Sequence, residues 1–548
     1  MNRFQYHINC VVAALYNKGL RHAVISPGSR NAPIIMAFAR FGKIQCHSAV
    51  DERAAAFIAL GIAKQSGQSV AVVCTSGSAL ANFYPAVLEA YYMQVPLLVI
   101  SADRPAEMID RWDGQTIHQS NLFGQHIKGS FSTPEHREAD LSQWFISAAY
   151  DTYDAANGQV AGPAHLNMPL QEPLYEAVKE TFEYPELNAV EFATQHEETM
   201  PEALKNAVLN NKCMFLFGAD HTASNMDSVI EQSNVVVLAD LMSNRRHLQS
   251  IQNWESVLLQ HDNKNALMPE VLISFGKMVL NKTLKQILRQ QKIQHWHIDM
   301  SGYCADTFFS EPQTVRLSQE TFFKWYNAQA HHLASDYLSQ WRNLAKSQLE
   351  VDWQLDDFTE LVAVAQILKQ IPETAVLHVS NSMSVRNAAY MAQYLHPSIK
   401  VYCNRGVSGI DGCSSTALGM AMADQKHQHV LLSGDLAFLY DINAYFVQTI
   451  PANFKVVVMN NGGGGIFKIL EGPDKMPELQ PFVFTPQNIQ IEALTKAYGL
   501  HYLKAENAKE LSSELDNLLN TEQAAVLEIR TDADTNAKQF KQFKNHKI

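Results

Sequence analysis

HVLLSGDLAFLYDINAYFVQTIPANFKVVVMNNGGGGIF, residues 429–467, decides the fold class. Two apolar, β-branched runs flank a segment carrying Leu436, Leu439, Ile442 and Phe446 on one helical face, and the runs end at Gly434-Asp435 and Asn460-Asn461. The pattern predicts strand, helix, strand. Such a crossover makes the two strands parallel, so Asp435 and Asn461 leave the same carboxyl edge of one sheet and can meet around one ion. Mg²⁺ takes hard oxygen donors, commonly one or two side chains with phosphate oxygens and water. Asp435, the Asn461 amide oxygen and a carbonyl near Gly463 suit it. The run Gly462 to Gly465 allows close backbone approach, and amides at the next helix start would face a phosphate.

The same rhythm extends outward. Short runs ending in small or acidic residues recur as HAVISPGS, SVAVVCTSG, PLLVISAD, CMFLFGAD, NVVVLADL, VLISFGK, HWHIDM, AVLHVSN and AVLEIRT, with helical patterns between them. The fold class is α/β throughout, built of doubly wound parallel sheets. Two stretches break the rhythm: the acidic, Pro-containing residues 172–202, and a polar helical segment over 330–357 that leads into LEVDWQLDD. They divide the chain into three domains, 1–180, 181–350 and 351–548. No fixed-period repeat or low-complexity tract is present.

Composition narrows the function. The 548 residues, 47% hydrophobic and 18% charged, suit a folded globular protein. The net charge of −12 argues against a nucleic-acid partner, although a few converging Arg and Lys could still bind an anion. Seven cysteines with no CxxC pair read as buried free thiols in a reducing compartment. The amino terminus is interrupted by His7 and Asn9 and reads as an amphipathic helix, and the longest apolar runs, near ten residues, are too short to span a membrane. The expected location is the cytoplasm.

Gly434-Asp435 followed by Asn460-Asn461 resembles the diphosphate and magnesium motif of thiamine-diphosphate enzymes, with Leu436 where many relatives have glycine. GDLAFLYDIN with NNGGGGIF is closer to one branch, the 2-succinyl-5-enolpyruvyl-6-hydroxy-3-cyclohexene-1-carboxylate synthases (MenD), in which that position is not glycine. SPGSR at 26–30, DERAAAFIALG at 51–61, CTSGSALANFYPAVLEA at 74–90 and SADRP at 101–105 resemble segments of the same branch in the same order. The resemblance is dense in the first and last thirds and loose in the middle. It implies a thiamine-diphosphate-binding fold with a pyrimidine-binding domain (1–180), a central domain (181–350) and a diphosphate-binding domain (351–548). It also implies thiamine diphosphate with Mg²⁺ or Mn²⁺ as cofactors, and a reaction that joins 2-oxoglutarate to isochorismate with loss of CO₂ in menaquinone biosynthesis. In this superfamily the cofactor halves meet across subunits, so a homodimer or homotetramer is expected.

Site residues follow from the same matches. Thiamine chemistry needs a carboxyl group at N1′ of the aminopyrimidine. Glu52, opening an apolar helix where desolvation would raise its pKa, is the candidate ahead of Asp51, although both also suit a helix start. Thr75, Ser76, Gly77 and Asn82 would line the pyrimidine pocket. Ser408, Gly409 and Ile410 would support the cofactor beneath the thiazolium, Ile410 serving equally well as a core residue. Gly434, Asp435, Leu436, Asn461 and Gly463 would hold diphosphate and metal, and Ile466 and Phe467 would give the reacting carbon an apolar wall. The two substrates carry four carboxylates, which Arg binds through its fork. Ser29, Arg30, Gln115, Ser382, Arg386 and Arg405 lie in segments resembling the substrate loops, and Lys282 of the middle third is matched by spacing from Gly276. An acetolactate synthase or simple 2-oxoacid decarboxylase would need fewer cationic clamps. A nucleotide-binding oxidoreductase would need the GxGxxG turn that the first strand lacks. A catalytically dead binding homologue would not be expected to keep Glu52, Asp435 and Asn461 together.

Overall fold

The computed structural model describes residues 3–135, 139–188, 196–220, 235–245, 250–329, 336–349 and 358–545. Its described strands form three sheets, and the α/β expectation holds. The first contains β1 (His22–Ile25), β2 (Gln45–Ser48), β3 (Val70–Cys74), β4 (Leu97–Asp103), β5 (Ser130–Ser132) and β6 (Pro163–Pro169), in the order β2-β1-β3-β4-β6-β5. The second contains β7 (Cys213–Phe217), β8 (Val236–Ala239), β9 (Val271–Phe275), β10 (Gln294–Ile298) and β11 (Gln313–Val315), in the order β11-β10-β9-β7-β8. The third contains β12 (Val376–Val379), β13 (Lys400–Tyr402), β14 (His429–Gly434), β15 (Phe454–Asn460), β16 (His501–Ala505) and β17 (Ala525–Arg530), in the order β13-β12-β14-β15-β17-β16. The first and third sheets therefore repeat one topology. In both, the chain reverses direction across the sheet after the first two strands, which opens a crevice at the carboxyl edge.

By contact density the chain forms two compact units: residues 1–193, 404–426 and 437–454 in one, and 194–403, 427–436 and 455–548 in the other. The first unit draws two pieces from the last third of the sequence because two helices, Glu52–Ser66 and Cys413–Ala423, lie backbone against backbone. A Cβ on Gly61 would stand 2.1 Å from the Thr416 carbonyl oxygen, and one on Gly419 would stand 2.1 Å from that of Ile58. Only hydrogen fits at either position. Gly419→Ala is therefore expected to lower the midpoint of thermal unfolding, at a cost of about 1–3 kcal/mol from overpacking, and calorimetry would read it.

The second unit holds the second and third sheets on a shared core. Ala219, Leu241, Met242 and Leu280 pack in one cluster with Leu361, Val364, Leu377 and Leu432. The polar segment after 330 is partly core: the helix Asp336–Leu349 buries Trp341 completely against the second sheet. Residues 330–335 and 350–357, including the expected boundary at 350, lie outside the described residues, as do 189–195 of the other boundary stretch.

Three local expectations are corrected. The helix after β14 stops at Tyr440, because the side chain of Asp441 turns inward and accepts hydrogen bonds from the Ser415 amide and hydroxyl at 2.7 Å each. The chain restarts as a 3-10 turn, Ile442–Tyr445, so the periodicity through Leu436, Leu439, Ile442 and Phe446 does not mark the buried face. Ala437, Phe438, Ala444 and Tyr445 are buried instead, and Phe446 is 53% exposed. The polyglycine run leads into a 3-10 turn, Gly465–Lys468, so no α-helix start presents its amides there. Of the cysteines, Cys46 is exposed and Cys304 half-buried; the other five are buried, and none of the seven forms a disulfide.

Candidate active site

The predicted site residues fall into two groups, one in each unit. In the first unit, Asp51 caps the helix Glu52–Ser66: its Oδ1 accepts from the Ala54 amide at 3.1 Å and its Oδ2 from the Asn443 amide group at 2.8 Å. Glu52 is left to point elsewhere. It is half-buried, less enclosed than an apolar setting would make it, and its Oε2 accepts from Asn82 Nδ2 at 3.3 Å. Asn82 ends the short helix Ser78–Asn82, which begins after β3 at Gly77, whose φ of +83° a side chain would strain. The Thr75 and Ser76 hydroxyls just before it are buried and carry no hydrogen-bond partner. Orphaned hydroxyls at a strand end are polar groups awaiting one.

Gln119, which no motif marks, organises this turn. Its Oε1 accepts the Gly77 amide at 2.8 Å, while its Nε2 donates to Asn167 Oδ1 at 2.9 Å and to the Ala102 carbonyl at 3.0 Å. Gln115, the residue expected to face substrate, is exposed with φ +59°, and its backbone lies against Gly77. Ser29 is exposed and shares a hydrogen bond with the Tyr175 hydroxyl at 3.0 Å. Arg30 is buried and already engaged, donating to the Leu170 carbonyl and to Glu172 at 2.8 Å each, with Arg104 3.7 Å from the same carboxylate. Burial and Arg104 both push its pKa down, an arrangement short of negative charge.

The loop 405–412 also belongs to this unit. It is held by a second residue not foreseen, Glu89 of the helix Tyr84–Met93. Its buried carboxylate accepts the Gly406 and Val407 amides at 2.8 Å each, and a Cβ on Gly406 would meet the Glu89 carbonyl at 2.7 Å. Burial pushes the Glu89 pKa up against the opposing pull of Lys64, the two amides and Arg405. Arg405 is half-buried beside it, Ser408 is left-handed at φ +61°, and a side chain on Gly409 would collide with Asp411. Ile410 is half-buried, so part of it faces outward from the core.

In the second unit, Gly434 ends β14, Asp435 opens the helix that follows it, and Asn461 follows β15, the neighbour of β14 in the sheet. Asp435 is buried. Its Oδ1 accepts from the Leu436 amide and its Oδ2 from Gln487 Nε2, at 2.8 Å each, and burial lifts its pKa to about 6 against these bonds and the amides of Gly462 and Gly463. Asn461 Nδ2 donates to Glu360 at 2.6 Å, and its Oδ1 accepts from the Gly463 amide at 3.1 Å. Gly463, at φ +157°, leaves no room for a side chain against Phe484. Ile466 and Phe467 are half-buried just beyond. A buried carboxylate, an amide oxygen and glycine carbonyls at one sheet edge form a hard donor set, and the raised pKa marks a carboxylate lacking a counter-charge.

Ser382, Arg386 and Lys282 lie in the same unit. Ser382 stands between β12 and the helix Met383–Tyr390 at φ +74° and ψ −126°, a region that side chains rarely occupy and that strained functional turns do. Arg386 Nη1 donates to the Ser382 carbonyl at 2.6 Å. Its charge is felt by buried Glu255, which accepts from Asn281 at 2.9 Å. Lys282, exposed, follows Asn281 at the start of the helix Lys282–Arg289. Burial, with Asp240 nearby, pushes Glu255 up to about 8. Since that lies above the ordinary 4.5, ionising Glu255 costs the folded state, the cost appearing above pH 4.5 and complete above about 8. Glu255→Gln should therefore melt with the parent at pH 4.5 and above it by pH 8, by a few kcal/mol at most; equal melting across that range would refute this.

A family model described as "Thiamine pyrophosphate enzyme, N-terminal TPP binding domain" matches residues 8–122, and one described as "Thiamine pyrophosphate enzyme, C-terminal TPP binding domain" matches residues 386–529. The chain is 38% identical over 546 residues to a 2-succinyl-5-enolpyruvyl-6-hydroxy-3-cyclohexene-1-carboxylate synthase of Flavobacterium johnsoniae, with 96% of each chain covered. It is 34% identical to the synthase of that name from Cytophaga hutchinsonii and 30% identical to that from Bacteroides thetaiotaomicron, with 97% of each chain covered in both cases.

Proposed function

Because the chain belongs to the family of 2-succinyl-5-enolpyruvyl-6-hydroxy-3-cyclohexene-1-carboxylate synthases, we propose that it joins 2-oxoglutarate to isochorismate with loss of CO₂, using thiamine diphosphate and Mg²⁺ or Mn²⁺. Bound thiamine diphosphate supplies the nucleophilic carbon and the electron sink that decarboxylation needs. Asp435, Asn461 and the Gly463 carbonyl would hold the metal ion, with Gly434 and Leu436 framing the turn where the diphosphate would bind. Thr75 and Ser76 offer their hydroxyls to the pyrimidine, which gives those orphaned groups the partners they lack. Glu52 shares a proton with the pyrimidine ring, and Asn82 orients its carboxyl group.

Arg405, whose loop Glu89 holds through the Gly406 and Val407 amides, and Arg30, with Arg104 beside it, face the substrate carboxylates; Glu172 keeps Arg30 in place until an anion competes for it. Ser382 and Arg386, at the start of the helix Met383–Tyr390, present a second cationic contact, with Lys282, Ser29 and Gln115 as further contacts. Ile410, Ile466 and Phe467 keep the reacting carbon dry, which favours loss of a charged carboxylate. In this reading residues 1–180 are the pyrimidine-binding domain, 181–350 the central domain and 351–548 the diphosphate-binding domain. The enzyme works as a homodimer or homotetramer in the cytoplasm, and a second copy would cover the exposed Val50, Tyr440 and Phe446 and enclose Glu52. No described helix is long and apolar enough to cross a membrane.

The strongest support is the β14–β15 edge, where a buried acid short of counter-charge stands beside an amide oxygen and a glycine cradle. The test is product formation and CO₂ release by purified protein given both substrates, thiamine diphosphate and Mg²⁺, each withheld in turn. Product requiring all four is expected. CO₂ from pyruvate with none from 2-oxoglutarate would move the chain to a decarboxylase or acetolactate branch.

A further inference from the structure

Glu360 begins the helix Glu360–Gln370, a position where an acid needs no explanation beyond the helix dipole. Its surroundings ask for one. The residue is buried, at 6% exposure, and each carboxylate oxygen meets a different carboxamide: Oε1 accepts from Asn461 Nδ2 at 2.6 Å and Oε2 from Asn387 Nδ2 at 3.3 Å. Its own amide donates to Asn536 Oδ1 at 3.0 Å, which fixes the helix start. The Asn461 amide is held at both ends, its Nδ2 donating to Glu360 and its Oδ1 accepting from the Gly463 amide at 3.1 Å, so turning it over would break both bonds.

We infer that Glu360 is a positioning residue that locks the Asn461 amide with its oxygen towards the metal position, and that through Asn387 it ties the metal-binding loop to the helix carrying Arg386. The inference rests on the metal role proposed above for Asn461. Asn461 follows β15 and Asn387 follows Arg386 in sequence, so one buried side chain fixes both the cation's amide donor and the helix that carries the substrate arginine. The device resembles the outer partners that orient metal ligands elsewhere, whose loss typically weakens metal binding about 10- to 100-fold.

The test uses full-length Glu360→Leu and Glu360→Gln, read by calorimetric titration of Mg²⁺ into protein with thiamine diphosphate and by melting of the unliganded protein. Leucine fills the space without accepting a bond and should raise the half-saturating Mg²⁺ concentration about 10- to 100-fold. Glutamine can still accept from Asn461 and should recover most of that loss, while both variants melt no lower than the parent without ligands. Three results would overturn the inference: a glutamine variant as impaired as leucine, which would make charge rather than the amide lock decisive; unchanged Mg²⁺ dependence in both; or loss of binding that merely follows lower melting. A parent that binds thiamine diphosphate without any divalent cation would overturn the metal reading along with it, and so tells the two failures apart.

Discussion

Glu52→Gln is expected to bind thiamine diphosphate as the parent does and to lose about 10²- to 10⁴-fold in turnover, the usual worth of a positioned proton-transfer group. The reasoning begins with Asp51, whose two oxygens are taken up by the Ala54 amide and Asn443. That leaves Glu52 as the acid at this helix start that can meet a ligand, its Oε2 accepting from the Asn82 amide at 3.3 Å. Glutamine has the same shape and can keep that contact, but it cannot share a proton. The proposed diphosphate and metal anchors belong to the other unit and are untouched by the change. Cofactor affinity, measured by calorimetry, should therefore stay within a few-fold while kcat collapses, and exchange of the cofactor's C2 proton, followed by NMR, should slow in parallel. A variant with near-parental kcat would remove Glu52 from the role. Asp51→Asn keeps the oxygen that caps the Ala54 amide and gives up only the bond from Asn443, so it serves as the control and should hold both measurements within a few-fold of the parent.

The strands that sequence reading found and missed differ for a physical reason. The runs that were plain in the sequence became β1, β3, β4, β7, β8, β9, β10, β12, β14, β15 and β17, most of them buried on both faces and so apolar throughout. Four of the five it passed over, β5, β11, β13 and β16, are sheet edges. An edge strand such as Gln45–Ser48, the short strand that precedes Glu52, is largely exposed and needs no apolar run. The fifth, β6, is internal and fully buried, yet its sequence PAHLNMP hides it, because His165 and Asn167 are spent on a buried polar network with Ser101 and Gln119. That network ends on the Gly77 amide, so the least strand-like sequence in the first sheet supports the turn proposed to meet the cofactor.

The candidate site divides the same way. Residues announced by a motif at a strand end, such as Asp435, Asn461 and Gly77, stand where the pattern put them. Glu89, Gln119, Glu360 and Gln487 were not legible, because each acts by holding a loop distant in sequence: Glu89 reaches residues more than 300 positions away. One signal was available. Glu89 is the single acid in an otherwise apolar helix, and burying such an acid is costly unless it is paired, whereas Glu360 stands at a helix start and carried no such mark. The helix after β14 misled for the opposite reason. Its apolar spacing continued through Asp441, and only the bond to Ser415, a residue from another segment, breaks the helix there.

Asp435→Asn should move stability and function in opposite directions. In the parent, burial lifts the Asp435 pKa from its ordinary 3.8 to about 6. A carboxyl group with a raised folded-state pKa costs stability when ionised: the cost sets in above pH 3.8 and is complete above about 6, and a shift of that size amounts to roughly 3 kcal/mol. Unliganded parent protein at pH 8 therefore carries an uncompensated buried charge, which asparagine removes while its oxygen can still accept the Leu436 amide. The variant should melt above the parent at pH 8 without ligands, and the gap should close as pH falls towards 4. Binding reverses the order, because a divalent cation needs the charge that the empty site bears at a cost. With Mg²⁺ and thiamine diphosphate at about a hundred times the dissociation constant, the parent should gain about 2.7 kcal/mol of stability and the variant almost none. Were the variant to keep the parent's Mg²⁺ dependence, Asp435 would not be a metal ligand, and its burial at the sheet edge would need another cause. If it instead loses that dependence while melting higher when unliganded, the strain at this edge is a cost held by the fold for the sake of the ion.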